Sequence, residues 1–240
     1  EVAATGENIS KADYDASNWV VATVPGTVLT SYKNIGAVPN PNYADNIFQI
    51  SESFFNSNFW YRNEFDLPAD FKQERLFLNL DGINWKANIY LNGNKIGRME
   101  GAFIRGMYDI TDIAVEGKNV LAIEIEKNAH IGAIKEKYEV NTDFNGGILG
   151  ADNPTFHASI GWDWISTIRG RNIGIYNDVY LTTSGKVTIQ DPFVQSKLAL
   201  PATTATLTPE VIVKNHTDKA VKGVLSGKIG DIAFEQEAEL

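Results

Sequence analysis

Trp85-Lys86-Ala87-Asn88-Ile89-Tyr90-Leu91-Asn92-Gly93 is the stretch that decides the fold. Successive side chains of a strand point to opposite faces, so Trp85, Ala87, Ile89 and Leu91 share one face while Lys86, Asn88 and Tyr90 share the other. Asn92-Gly93 then supplies the two positive φ angles of a tight hairpin turn. A strand followed by such a turn predicts an antiparallel sheet. The same alternation recurs on both sides. Leu76, Leu78 and Leu80 precede the stretch; Leu121, Ile123 and Ile125 follow it, facing away from Glu124 and Glu126. Each reads as a half-buried strand. Short alternating segments separated by Gly, Asn, Asp and Pro are the pattern of an antiparallel sandwich or barrel. Helical periodicity is scarce, with one short helix expected over Val28 to Lys33 and a loop over Pro39 to Asn46.

Toward the C-terminus, alternation disappears between Asn128 and Ile160, where Gly146, Gly147 and Gly150 predict a long loop of the kind that carries function. That loop leads into Gly161-Trp162-Asp163-Trp164. Gly174 then opens a strand with Ile175, Asn177, Val179 and Leu181 on one face and Tyr176, Asp178 and Tyr180 on the other. A boundary falls near Thr183-Ser184-Gly185-Lys186, giving one domain over residues 1–184 and a second over 185–240. In the second, Leu207 to Lys214, Val221 to Ile229 and Ile232 to Leu240 are strand candidates. An immunoglobulin-like sandwich takes about 100 residues, so this domain is expected to be only the first part of one.

Composition is that of a globular protein: 240 residues, 43% hydrophobic and 21% charged, near ordinary values. A net charge of -9 argues against nucleic acid, which demands clustered Lys and Arg. No window approaches 18 consecutive apolar residues, so no membrane span is expected. The chain starts at Glu1 without an initiator Met or an apolar leader, which fits either a trimmed chain or a mature, processed one; the periplasm or exterior is the expected location. With no Cys, disulfides and thiol catalysis are excluded. His130, His157 and His216 are too widely spaced for a zinc site. Asp45, Asp81 and Asp109 read as turn acids rather than calcium ligands. Gly93, Gly97, Gly101 and Gly106 open no helix and read as turn residues, not a phosphate loop. No metal or cofactor is therefore expected.

Trp162-Asp163-Trp164 has two readings. Indole faces stack on the apolar faces of pyranose rings, and an ionised carboxylate between them accepts hydrogen bonds from sugar hydroxyls. Alternatively the indoles fill a core and Asp163 closes a turn. Trp85 sits on an apolar strand face and reads as core. Trp60 and Arg62 alternate and are expected to share a strand face with a cation–π contact. Glu124 with Glu126, and Glu237 with Glu239, read as solvated edge acids rather than catalytic pairs.

Several motifs, taken in order, resemble the N-terminal part of family 2 glycoside hydrolases. They are Trp19 followed by Ala22-Thr23-Val24-Pro25-Gly26-Thr27-Val28, Tyr43-Ala44-Asp45-Asn46, Phe59-Trp60-Tyr61-Arg62-Asn63-Glu64-Phe65, Leu80-Asp81-Gly82-Ile83-Asn84-Trp85, Tyr90-Leu91-Asn92-Gly93 and Gly174-Ile175-Tyr176-Asn177-Asp178-Val179. Within that family, Gly161-Trp162-Asp163-Trp164 resembles β-mannosidases. Val24 to Val28, Arg171-Asn172-Ile173-Gly174 and Asp191-Pro192-Phe193-Val194 resemble exo-β-D-glucosaminidases. Ile165-Ser166-Thr167-Ile168-Arg169 departs from the Pro-rich stretch of the latter. The resemblance implies an all-β chain: a galactose-binding-like jelly roll, then a truncated immunoglobulin-like sandwich, with catalysis in a (β/α)8 barrel outside this chain. It further implies that the parent is an exo-acting retaining β-glycosidase cleaving β-linked oligosaccharides or glycosides, with a β-mannoside or β-glucosaminide favoured. Carried over residue by residue, Asp163 and Trp164, and more weakly Trp162, would contribute to the sugar subsite. None would be catalytic. This chain alone would be inactive, and its partners would be the glycoside and its own catalytic barrel. A stand-alone carbohydrate-binding module or an adhesin-like sandwich is the competing expectation.

Overall fold

A computed structural model describes residues 2–71, 74–132, 152–154 and 168–240. They fall into two compact units, residues 1–72 with 76–182, and residues 73–75 with 183–240. The chain is all-β, as the alternation predicts. In the first unit a one-turn helix, α1 (Gly6–Ile9), precedes a short strand, β1 (Gly26–Thr27), and a second helix, α2 (Val28–Asn34). The strands that follow are β2 (Phe59–Leu67), β3 (Arg75–Leu80), β4 (Ile83–Asn84), β5 (Lys86–Leu91), β6 (Asn94–Glu100), β7 (Gly106–Asp109), β8 (Gly117–Ile125), β9 (Gly174–Ile175) and β10 (Val179–Ser184).

Three antiparallel sheets result: a four-stranded one in the order β2-β8-β5-β6, a three-stranded one in the order β10-β3-β7, and a small one, β1-β9-β4. In the small sheet Gly26 faces Ile175 and Thr27 faces Gly174; Ile83 and Asn84 take the same two partners from the other side. Leu76, Leu78 and Leu80 of β3 pack in one core with Ala87, Ile89 and Leu91 of β5 and Leu121, Ile123 and Ile125 of β8. Burying a Leu or Ile side chain stabilises the fold by about 1.5–3 kcal/mol, so this cluster dominates the stability of the unit.

The expected hairpin is present, with Asn92 at φ 50° and Gly93 at φ 82° joining β5 to β6. Asn92 Oδ1 accepts the Val120 N–H at 2.9 Å, and its Nδ2 donates to Asn119 Oδ1 at 2.8 Å. The turn is thereby fastened to β8. The expected short helix is α2, whose first turn is capped by Thr27 Oγ1 accepting from Thr30 N at 3.1 Å. Such a cap contributes about 1 kcal/mol.

Three expectations need correction. First, β3 and β5 are buried on both faces rather than half-buried: Phe77, Asn79, Asn88 and Tyr90 are covered as well. For β5 the cause lies in residues far upstream. Ile9, Tyr14 and Trp19 pack on Tyr90, Ala122 and Trp60 across the back of the four-stranded sheet, and a Cβ on Gly6 would lie 2.3 Å from the Tyr90 ring. Arg62 holds that segment down by donating to the carbonyls of Ile9 and Lys11, each at 3.0 Å. Second, the strand opening at Gly174 is broken. Tyr176 N and Asn177 N turn to the Gly82 carbonyl, and the Asp178 carbonyl accepts from Asp81 N, which separates β9 from β10. Third, Gly97 and Gly106 are strand residues of β6 and β7, not turn residues. At Gly97 the Tyr108 ring occupies the space a side chain would need, 2.0 Å from an ideal Cβ.

The second unit consists of two antiparallel hairpins, β11 (Val187–Leu198) with β12 (Ala205–Asn215), and β13 (Lys222–Ile229) with β14 (Ile232–Glu239). Their strands match all three segments expected from the alternation, with Val221 and Leu240 falling just outside β13 and β14. The β11–β12 register shifts between Gln190 and Phe193, where Asp191 takes φ 46°. This is a bulge in the first strand.

Candidate functional site

Trp162, Asp163 and Trp164 lie outside the described residues. What is described is the frame from which their segment departs and to which it returns: residues 128–132, 152–154 and 168–172. Ala129 N donates to Asp152 Oδ2 at 3.0 Å, and Asp152 N donates to the His130 carbonyl at 2.9 Å. These two bonds bind the outgoing chain to residue 152. Asn153 is fully buried.

The returning chain folds into a 3-10 turn, Arg169–Asn172, inside which Gly170 and Arg171 take φ 71° and 52°, with Asn172 at φ 60°. Left-handed backbone is costly for residues with a Cβ and persists where surrounding contacts over-determine it. Those contacts are on hand. Arg169 and Arg171 are both fully buried. Arg169 Nε donates to the Ile50 carbonyl at 2.8 Å. Gly170 N lies 3.2 and 3.3 Å from the two carboxylate oxygens of Glu52. Arg171 Nη1 is 3.5 Å from Glu52 Oε1 and 3.2 Å from the Ile168 carbonyl, while its Nη2 donates to the Ile131 carbonyl. Asn84 Nδ2 donates to the Arg171 carbonyl at 3.0 Å. A Cβ on Gly170 would sit 2.5 Å from Phe55, so only glycine admits this turn against the 3-10 turn Glu52–Phe55.

Beside the frame stands Trp85, and here the core reading fails. The indole is only partly buried and belongs to neither hydrophobic cluster. Its Nε1 donates to Asn128 Oδ1 at 3.1 Å, and the Lys86 ammonium lies 4.3 Å from the ring centroid. The residue precedes β5 rather than extending it, so its side chain escapes the alternation. An indole with one polar edge is suited to contact an amphipathic ligand.

The remaining candidates take structural roles. Trp60 and Arg62 share a face of β2, but Trp60 packs on Tyr90 with ring centroids 5.8 Å apart and Arg62 pairs with Glu64 at 2.8 Å, in place of the expected cation–π contact. Glu124 stands on the inner strand β8 and Glu126 directly follows its last residue, both half-buried rather than on a solvated edge. Glu124 accepts from Asn58 and Asn88, and Glu126 is bound by Asn88 and Arg98. The Arg98 guanidinium holds the Glu126 carboxyl below its ordinary pKa. Asp45 sits in a turn and Asp81 in a bend, while Asp109 is the last residue of β7 rather than a turn acid; their side chains accept from Gln49, Tyr180 and Thr111 respectively.

Glu52, Arg169 and Arg171 were not singled out as site residues by sequence reasoning. The available signal was an Arg-Gly-Arg-Asn run between a long loop and the apolar Ile173 and Ile175. Charge at such a position implies a buried partner. The partner itself, Glu52, stands far upstream and left no mark in spacing.

Comparison with known proteins agrees with this architecture. The chain is 29% identical to an exo-β-D-glucosaminidase of Streptomyces avermitilis over 237 residues, 97% of this chain and 23% of that protein. It is 36% identical to a mannosylglycoprotein endo-β-mannosidase of Lilium longiflorum over 180 residues, 72% of this chain and 18% of that protein. An exo-chitosanase of Amycolatopsis orientalis, solved in complex with a p-nitrophenyl β-D-glucosamine, superposes with a TM-score of 0.76 at 25% identity, covering 99% of this chain and 25% of the other. The chain therefore spans about a fifth to a quarter of the length of these relatives. Residues 7–177 match the model of one family, and with the sandwich and its loop frame in place the chain belongs to that family, the galactose-binding domain-like proteins of glycosyl hydrolase 2.

Proposed function

We propose that this chain is the non-catalytic N-terminal part of an exo-acting retaining β-glycosidase that removes terminal β-mannosyl or β-glucosaminyl residues. The family match over residues 7–177 carries the proposal, reinforced by relatives named for β-glucosaminide and β-mannoside hydrolysis. Retaining hydrolysis needs two carboxyls about 5 Å apart, one nucleophile and one acid/base. Glu124 and Glu126 are tied up by Asn58, Asn88 and Arg98, and the chain matches only about a quarter of its relatives' length, which supports assigning catalysis to a barrel elsewhere in the whole enzyme. Residues 1–184 act as the sugar-binding domain, and residues 185–240 begin an immunoglobulin-like sandwich. Asp163 accepts hydrogen bonds from the terminal sugar, or pairs with a glucosaminyl ammonium; Trp164, with Trp162, walls that subsite.

The test is hydrolysis of p-nitrophenyl β-mannoside, β-glucosaminide, β-galactoside and β-glucuronide by the whole enzyme carrying this chain, with Asp163→Ala and the 240-residue chain alone alongside. Cleavage of one substrate, a fall of about 100-fold in kcat/KM for Asp163→Ala and an inert isolated chain are expected. A silent Asp163→Ala refutes the subsite. Glycan binding by the isolated chain with no activity in the whole protein would favour a carbohydrate-binding module.

A further inference from the structure

We infer that the first unit carries a binding site for a neutral amphipathic ligand, an alkyl or aryl glycoside, in a cavity of about 570 Å³ beside the edge strand β2. Cavities of about 300–1,000 Å³ with mainly apolar walls and a few polar groups are the usual form of a small-molecule site. The lining includes Leu121, Ile123 and Ile175, all buried in the core, so the cavity reaches the interior of the sandwich. Trp60, Arg62 and Asn63 of β2 line it as well, together with Trp19, Val20, Val21 and Val24. This last segment leaves much of itself uncovered. Val20, Val21 and Val24 are 61%, 80% and 43% exposed, and the backbone of residues 20–22 makes no hydrogen bond among the described residues. Its ends are fastened: Trp19 stands edge-on to Tyr14 with ring centroids 5.8 Å apart, and Thr23 N donates to Ser31 Oγ at 3.0 Å. Residues 19–24 are therefore a strap held at both ends beside an unfilled apolar space.

Charge and hydrogen bonding choose the class of ligand. Arg62 is the only charged side chain lining the cavity among the described residues, and Glu64 neutralises it at 2.8 Å, so a charged ligand gains nothing there. What the walls offer is a mixture of donors and acceptors. The indole N–H groups of Trp19 and Trp60 meet no acceptor among the described residues, the strap has its unbonded backbone, and the Asn63 amide is exposed. A polyhydroxyl head both donates and accepts, and its C–H faces suit indole. An alkyl or aryl tail covers Leu121, Ile123 and Ile175, where each apolar group withdrawn from water adds affinity. A fatty acid matches the apolar depth but not the neutral walls, and a free sugar matches the walls but not the depth.

The probe is octyl 1-thio-β-D-glucoside, whose thioether linkage resists hydrolysis. Titrated calorimetrically into the whole enzyme carrying this chain, below its micellar range, it is expected to bind saturably. Octanoate and glucose are each expected to bind at least about tenfold more weakly. Asn63→Trp, at an exposed position of β2, fills the cavity, and Val21→Asp sets a charge in its apolar wall. Each should weaken glycoside binding at least about tenfold and leave the thermal melt unchanged, as surface substitutions do. Should Asn63→Trp alter the melt, Val21→Asp decides, because Val21 is largely exposed. Absence of saturable binding, octanoate held as tightly as the glycoside, or unchanged affinity in either folded variant overturns the assignment.

Discussion

Replacing Tyr61 by Phe should reverse its effect on stability as the solution becomes alkaline. Tyr61 lies on β2, and burial pushes its phenol from 10.0 up to about 12, against the opposing influence of the Ser31 hydroxyl and the Ile175 backbone. The folded chain therefore keeps a proton between those two values that the unfolded chain has already released. Stability must fall as pH rises through that window and be indifferent to this group below it. Each pH unit across the window is worth about 1.36 kcal/mol, which makes the full loss about 2.7 kcal/mol. At neutral pH the phenol's polar contacts should make the wild type more stable than Tyr61→Phe by about 1 kcal/mol. The two effects cancel at about pH 11, above which the variant is the more stable protein. Urea unfolding of both proteins between about pH 7 and pH 11.5 reads this directly. Tyr90 and Tyr108 are also raised, mainly by burial, and their contributions cancel in the difference; Tyr32, raised by burial too, also acts on Tyr61 through its charge and belongs to the same effect. Parallel stability curves for the two proteins across the window would refute the reasoning.

Two further outcomes follow from packing and charge. Gly174→Ala should abolish or severely lower the cooperative melt, because its Cβ would lie 2.6 Å from the Gly26 carbonyl oxygen. Gly36→Ala, with φ 76° but open space around it, should cost only about 1 kcal/mol of backbone strain. Similar melting temperatures for the two would contradict the close strand approach. Glu126 is held low by Arg98, so its contribution is present above the ordinary carboxylate range and lost as pH falls through the folded value. Glu126→Gln should flatten the acid side of the melting profile, and an unchanged profile would remove the pair from the account.

The turn at Asn92-Gly93 and the strands of the second unit were legible because each rests on a local rule: positive φ at Asn-Gly, and alternation. Burial on both faces of β5 was not, because the cover comes from Ile9, Tyr14 and Trp19, and no periodicity within β5 reports what lies on top of it. Trp85 misled for a related reason. It continues the alternation in sequence while standing outside the ladder in space. At the candidate site, resemblance pointed to Asp163 and Trp164, whereas the Arg171–Glu52 contact depends on a meeting of residues that are remote in sequence.

The small sheet β1-β9-β4 has a consequence for biogenesis. Gly26 finds its partner Ile175 about 150 residues later, and β4, waiting in between, needs the same partner. At ordinary rates of synthesis β1 waits roughly 7 to 30 s on the ribosome before that partner exists. The β5–β6 hairpin, by contrast, joins neighbours and closes on the microsecond scale. The first unit is therefore completed only once residues 174 and 175 have been made, and a nascent chain halted before residue 175 would present an unfinished sandwich to chaperones and proteases.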